Sequence, residues 1–231
     1  AVPGTTNRLL AKWATRILEG FDGAFGNPKA IFTGNPVRAE ITALSAIDRK
    51  PSLDAINVLV VGGSLGARTI NHAIDAGVAE IAKNDIQLVW QTGKLYVDEA
   101  AKTVANYKGK GIKTMPFISK MDYAYAVADI VVSRAGAMSV SELSIAAKPT
   151  IFVPLPSSAE DHQTKNAMAL VNHNAALLVK DAEAQETLIP MLIDLVKSED
   201  EQQKIANNVA KMAFTDSANI IAAEVMKLIK R

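Results

Sequence analysis

The chain contains no cysteine. That absence excludes a disulfide framework, a thiolate metal centre and a cysteine nucleophile, and it fits a reducing compartment. Histidine is scarce as well: three scattered residues with no close pair are too few for a zinc site. No charge of one sign prevails. The 25 Lys and Arg stand against 24 Asp and Glu, which leaves no field to draw in nucleic acid. No apolar run approaches the ~20 residues that span a bilayer, and no basic-then-apolar signal pattern opens the chain. The expectation is a soluble, cytosolic protein.

What is present is 231 residues, one large domain or two small ones, enough to bury roughly 70 % of the unfolded surface. The chain opens Ala1-Val-Pro-Gly-Thr-Thr, without Met, and reads as the interior of a longer protein. Short β-branched runs recur at 58–61, 86–90, 112–115, 130–132, 150–153 and 176–179, each the length of a buried strand. Between them lie helical spacings such as Ile70, Ile74, Val78 and Ile81, which predict a helix over 67–83. Further helices are expected at 95–107, 120–128, 138–147, 162–174, 185–197 and 200–213. This alternation predicts an α/β domain, a doubly wound parallel sheet covered on both faces.

The ends depart from that alternation. Residues 1–37 read as one amphipathic helix carrying Leu9, Leu10, Trp13 and Ile17, then a glycine-rich turn and a short strand at 30–33. At the other end Asp216 or Ser217 is expected to cap a helix over 217–230, with Lys227, Lys230 and Arg231 at its negative pole.

In a parallel sheet, ligands bind at the carboxyl edge of the strands, where strand order reverses. The loops leaving that edge are 62–68, 91–94, 116–120, 133–138 and 154–163. Two of them set small residues before a helix start, where backbone N–H groups and the helix dipole favour an anion, and phosphate is the obvious one. Ser64 stands where the dinucleotide fingerprint needs its second glycine, and Trp90-Gln91 offers no acid for a ribose, so the sequence argues against NAD. No Gly-Lys-Ser or Gly-Lys-Thr follows, so the P-loop pattern fails too. A lone His162 beside Asp161 has no paired nucleophile, which removes a Ser-His-Asp reading.

Gly34-Asn-Pro-Val-Arg38, Gly62-Gly-Ser-Leu-Gly-Ala-Arg68, Arg134-Ala-Gly-Ala-Met-Ser-Val-Ser-Glu142 and Asp161-His-Gln-Thr-Lys-Asn166 resemble, in order and spacing, the donor half of the MurG family. These are bacterial transferases that move N-acetylglucosamine from UDP-GlcNAc onto lipid I to give lipid II in peptidoglycan synthesis. The resemblance covers essentially the whole chain and implies a GT-B glycosyltransferase, of which this is the carboxyl-terminal, Rossmann-like donor domain. On that view 1–37 is the tail of an amino-terminal acceptor domain, 38–214 binds UDP-GlcNAc, and 215–231 crosses back. The resemblance assigns Glu142 to the ribose hydroxyls, against a bland reading as the carboxylate of a Ser139-x-x-Glu142 capping box. It assigns Arg38 to the diphosphate as the leaving group departs, Gly63 and Ser64 to phosphate, and the main chain at Ile118 to uracil. Ala137 and Met138 lie at a helix start facing sugar or phosphate, and His162, Gln163 and Asn166 contact the sugar hydroxyls. Many relatives carry Gln-Gln where this chain has His162-Gln163. Arg68 reads as a solvated first-turn residue and stays outside this set. The catalytic base, lipid I and the membrane surface are expected on the missing domain, which puts the full-length protein on the inner face of the cell membrane. No Asp-x-Asp motif marks a metal, so no cofactor is expected to be tightly bound and a divalent cation is at most stimulatory. The alternatives are a stand-alone donor subunit needing a partner chain, and another GT-B enzyme such as a UDP-sugar epimerase or a lipid glucosyltransferase.

Overall fold

The computed structural model describes residues 3–44, 55–156, 158 and 161–229. Six strands form the main sheet: β3 (Asn57–Val61), β4 (Gln87–Gln91), β5 (Ile112–Met115), β6 (Ile130–Ser133), β7 (Thr150–Phe152) and β8 (Leu177–Leu178). They lie in the order β5-β4-β3-β6-β7-β8 and every pairing is parallel. The chain therefore runs outward from β3 on one side and, after crossing back, outward from β6 on the other. This is the doubly wound, Rossmann-like order, with its switch point between β3 and β6.

Period-two alternation sorts the strand residues to the two faces. Val58 and Val60 pack with Ile130 and Val132 against α3 (Arg68–Lys83) and α8 (Ala184–Val196) through Ile70, Ile74, Leu188 and Leu192. Leu59 and Val61 pack with Val131 and Phe152 on the opposite face. There they meet α2 (Ala39–Thr42), α5 (Met121–Val127), α6 (Ala137–Ala146), α7 (His162–Val171) and α9 (Glu199–Ala210). A strand buried on both faces has no polar side to show, which is why these segments read as unbroken apolar runs. Each fully buried aliphatic side chain contributes roughly 1.5–3 kcal/mol relative to exposure. One helix, α4 (Val97–Val104), closes the β4–β5 crossover and is continued by a 3-10 turn at Ala105–Tyr107.

The amino-terminal segment folds differently from expectation. The helix meant to run through Ile17 stops early, as α1 (Thr5–Leu10), and Ile17 heads β1 (Ile17–Glu19), paired in parallel with β2 (Ala30–Phe32). Six helical residues gain little on their own, whereas strand pairing buries Ile17 to 7 % exposure. Leu9, Leu10 and Trp13, the rest of the expected apolar stripe, stay 53, 58 and 78 % exposed. Glu19 is buried and accepts the N–H groups of Gly23 (2.8 Å) and Phe25 (3.0 Å), which ties down the glycine turn between the two strands.

At the carboxyl end, α10 (Ser217–Ile229) starts with the Asp216 carbonyl accepting from Ile220 N–H, and the Asp216 side chain accepts from Asn219. Ser217 is no cap: its Oγ is buried with no hydrogen-bond partner among the described residues. The expected Lys230 and Arg231 at this helix's pole lie outside the described residues, as do Ser157, Ala159 and Glu160 of the 154–163 loop.

Helix α6 ends on Ala147 with φ 52° and ψ 42°, a left-handed position that glycine occupies without the clash of a Cβ. Relief of about 1–2 kcal/mol of strain, less the extra freedom glycine gives the unfolded chain, should make Ala147→Gly stabilising by about 0.5–1 kcal/mol. Thermal denaturation should report a midpoint raised by about 2 °C; a fall would contradict the strain argument.

Candidate functional site

The switch point carries a cavity of about 400 Å³ between the loop after β3 and the start of α6, lined by Gly62, Gly63, Gly66, Arg68, Gly136 and Gln163 among others. Its shape depends on backbone proximity. A Cβ at Gly62 would stand 2.3 Å from the Ala67 nitrogen, so the loop folds back over itself only because nothing is there. Gly66 has φ +80°, and a Cβ on it would lie 2.0 Å from the Thr92 carbonyl oxygen. The Gln91 amide then holds the loop from the neighbouring strand by donating to Gly63 O at 2.7 Å.

The helices that open on this cavity suit an anion. Ala67 caps α3 and Gly136 caps α6, neither with a side-chain hydrogen bond, and neither first turn contains an acid. By contrast α4, α5 and α9 each carry acids in the first turn. Uncapped N–H groups and the positive end of the dipole are what a phosphate needs.

Beside it, sharing Gly136 and Gln163, a second cavity of about 400 Å³ is lined by Asn7, Glu19, Asn35, Ala137, His162 and Asn166 among others. Gln163 Oε1 accepts from Ala135 N–H (3.2 Å) and Leu155 N–H (3.0 Å), so its carbonyl end is committed to the protein and its NH2 end is what a ligand can use. Asn166 is 4 % exposed and donates to Ala135 O at 3.1 Å, while its Oδ1 accepts nothing among the described residues. A buried acceptor left unmatched costs about 1–3 kcal/mol, and a ligand hydroxyl or amide would satisfy it.

The expected site residues divide into four groups. Gly63 and Gln163 line the first cavity, and Ala137, His162, Gln163 and Asn166 line the second. Ser64 is exposed at the loop tip next to Gly63, and Met138 is 41 % exposed in the first turn of α6. Ile118 is 8 % exposed and packs in the core with Val37 and Tyr125, so its side chain is not available for recognition. Arg38 and Glu142 meet one another: Arg38 Nη2 donates to Glu142 Oε1 at 3.2 Å, and Tyr125 OH donates to Glu142 Oε2 at 3.1 Å. Since α6 starts at Ala137, Glu142 is a mid-helix residue and no capping box forms. Burial, and then the Glu142 carboxylate, raise the Tyr125 hydroxyl above its ordinary range, so it remains a donor at neutral pH.

Several residues take places that the sequence left unassigned. Arg134 Nη1 donates to Val153 O (2.9 Å) and Pro154 O (3.2 Å) and pairs with Asp181, which also accepts from Thr69 Oγ1 at 3.0 Å. This cluster ties the loops after β6 and β7 to the first turn of α3, and its charged side chains are only 12 and 17 % exposed. Nothing local marks Asp181, which lies 47 positions from its partner. Arg68, set aside as solvated, lines the first cavity, and Asn7 and Glu19 enter from the amino-terminal segment. Among the described residues no group of three or more His, Cys, Asp or Glu could hold a metal ion.

A six-stranded, doubly wound sheet with uncapped helix starts at its switch point defines a Rossmann-like domain with a ligand-sized cavity at the carboxyl edge of its strands. The chain belongs to the family described as glycosyltransferase family 28 C-terminal domain, whose profile matches residues 57–221. It is 47 % identical to a UDP-N-acetylglucosamine–N-acetylmuramyl-(pentapeptide) pyrophosphoryl-undecaprenol N-acetylglucosamine transferase of Phocaeicola vulgatus, over 97 % of this chain and 62 % of that protein. With the protein of the same name from Bacteroides thetaiotaomicron it shares 45 % identity, over 97 % of this chain and 63 % of that protein. The crystal structure of Acinetobacter baumannii MurG superposes with a TM-score of 0.83 at 26 % identity, covering 98 % of this chain and 65 % of that one. The glycosyltransferase of kitacinnamycin, at 17 % identity over 93 % of this chain and 56 % of that one, shares the fold with a TM-score of 0.65. The chain thus spans just over three-fifths of the length of these relatives.

Removing the Asp181 carboxylate leaves Arg134 unpaired in a mostly buried setting, so Asp181→Ala should cost about 2–3 kcal/mol. Urea denaturation should register a lower midpoint at unchanged slope, and Arg134→Met in the Asp181→Ala background should recover part of the loss.

Proposed function

We infer that this chain is the donor-binding half of a transferase that moves N-acetylglucosamine from UDP-GlcNAc to the lipid-linked N-acetylmuramyl pentapeptide acceptor, lipid I, with inversion at the anomeric carbon. The observation that carries this reading is the pair of adjoining cavities, one ringed by uncapped helix starts and one holding the unmatched, buried Asn166 Oδ1. The first suits a diphosphate and the second a sugar. The names of the relatives supply the identity of donor and acceptor. In this reading Gly63, Ser64 and the start of α6 at Ala137 and Met138 meet the diphosphate, Glu142 the ribose, the Ile118 main chain the uracil, and His162, Gln163 and Asn166 the N-acetylglucosamine. Charge builds on the diphosphate as UDP leaves. Helix N-termini fixed in advance, joined by Arg38, stabilise that charge without reorganising, the contribution that usually dominates such catalysis.

Residues 1–37 are then the tail of an acceptor-binding domain, 38–214 the donor domain and 215–231 a returning helix. The separate two-stranded β1–β2 sheet and the packing of Ile41 and Leu44 into the donor core support a boundary near the first of these limits. The base, the lipid I contacts and the attachment to the inner face of the cell membrane belong to the other domain. No helix of the described residues is long and apolar enough to cross a membrane.

Titration calorimetry on the chain tests this directly. UDP-GlcNAc should bind with roughly micromolar affinity, from three or four bonds of about 1.5–3 kcal/mol each to the phosphates. Glu142→Ala should weaken it at least tenfold, about 1.4 kcal/mol, and EDTA should leave binding in place. Absence of binding, or equal affinity for an adenine dinucleotide, would overturn the reading.

A further inference from the structure

Two residues read as ligands of different parts of one nucleotide are bonded to each other. Arg38 holds one oxygen of Glu142 and Tyr125 holds the other, so neither charged group stands as its role requires. The two grips differ in kind. Tyr125 is 2 % exposed and sits in the core, so its hydroxyl is fixed. The Arg38 side chain is 52 % exposed against 12 % for Glu142, and an ion pair with so exposed an arginine is weak and easily exchanged. Ser139, which lines the phosphate cavity, lies three residues before Glu142 on α6, about 4.5 Å along the helix. Glu142 and the cavity-lining Ser139 thus stand within one turn of each other on the same helix.

We propose that Glu142 is a two-position switch: Tyr125 holds its Oε2 in place, and at Oε1 a vicinal diol of a nucleoside exchanges with Arg38, which passes to the diphosphate. Tyr125 is thereby a positioning residue and Arg38 a group whose delivery is coupled to recognition of the sugar ring. The proposal rests on the donor-site reading above and adds to it the coupling and the role of Tyr125. The coupling has a physical purpose. A free phosphate or pyrophosphate has no vicinal diol to set against Glu142 and is repelled by its carboxylate, so it meets an arginine still engaged, whereas a nucleoside diphosphate frees the cation it needs.

The test compares uridine, 2′,3′-dideoxyuridine and UDP binding to the wild-type chain, Arg38→Ala and Tyr125→Phe, by ligand titration followed in NMR spectra, with thermal midpoints measured in parallel. Arg38→Ala removes the competitor at Oε1 and the partner of the diphosphate together. Uridine should bind about two- to fivefold tighter than to wild type and UDP about tenfold weaker, a crossing of signs that no purely structural role of Arg38 yields. Tyr125→Phe should pull the uridine to dideoxyuridine affinity ratio toward one, while general loosening would lower the thermal midpoint and leave that ratio alone. Uridine and UDP weakened by the same factor in Arg38→Ala would overturn the switch, and an unchanged ratio in Tyr125→Phe would overturn its positioning role. Failure of wild type to bind UDP at all would instead sink the donor-site reading on which both rest.

Discussion

The parallel pairing of β3 with β6, Val58 to Val61 against Ile130 to Ser133, governs everything built above it. From these two central neighbours the chain departs in opposite directions, to β4 on one side and β7 on the other. The following helices, α3 and α6, are thus drawn apart and cannot close over the strand ends between them. A gap at the sheet edge with two helix N-termini facing it is a consequence of winding, before any side chain is chosen. The close backbone approaches at Gly62 and Gly66 narrow the gap to the size of a small anion-bearing ligand.

Much of the polar chemistry around that gap holds loops in place and leaves main-chain groups to face the opening. Gln91 fixes Gly63, Gln163 fixes Ala135 and Leu155, and Arg134 fixes Val153 and Pro154 while Asp181 balances its charge. Because Asp181 balances the most buried arginine of the cavity wall, the remaining positive character of the wall comes from Arg68 and from peptide dipoles. Such dipoles are set by the fold and need no rearrangement when charge develops on a ligand.

The amino-terminal segment makes a different contribution. Its ribbon lies apart from the main sheet, pinned by Glu19, yet Asn35 reaches across to donate to Ser141 on α6 at 2.9 Å. Asn7 and Glu19 share a cavity wall with His162 and Asn166. Residues outside the family profile, which starts at 57, thus help shape the proposed sugar cavity.

By itself the sequence determined the six-stranded alternation, nearly every helix over 68–210 to within a few residues, and the glycine loop that lines the cavity at the sheet edge. Those features are local: period-two and helical patterns of apolar residues, and glycines before helix starts, are written in neighbouring positions. The tertiary structure alone decided that Ile17 is a strand residue, because only pairing with Ala30 buries it. It alone joined Arg38 to Glu142 across 104 positions and Arg134 to Asp181 across 47, and it alone set Tyr125 beneath the carboxylate. Ion pairs and buried hydroxyl bonds depend on separation in space, and a linear pattern carries that information only where the partners lie within a turn of one another.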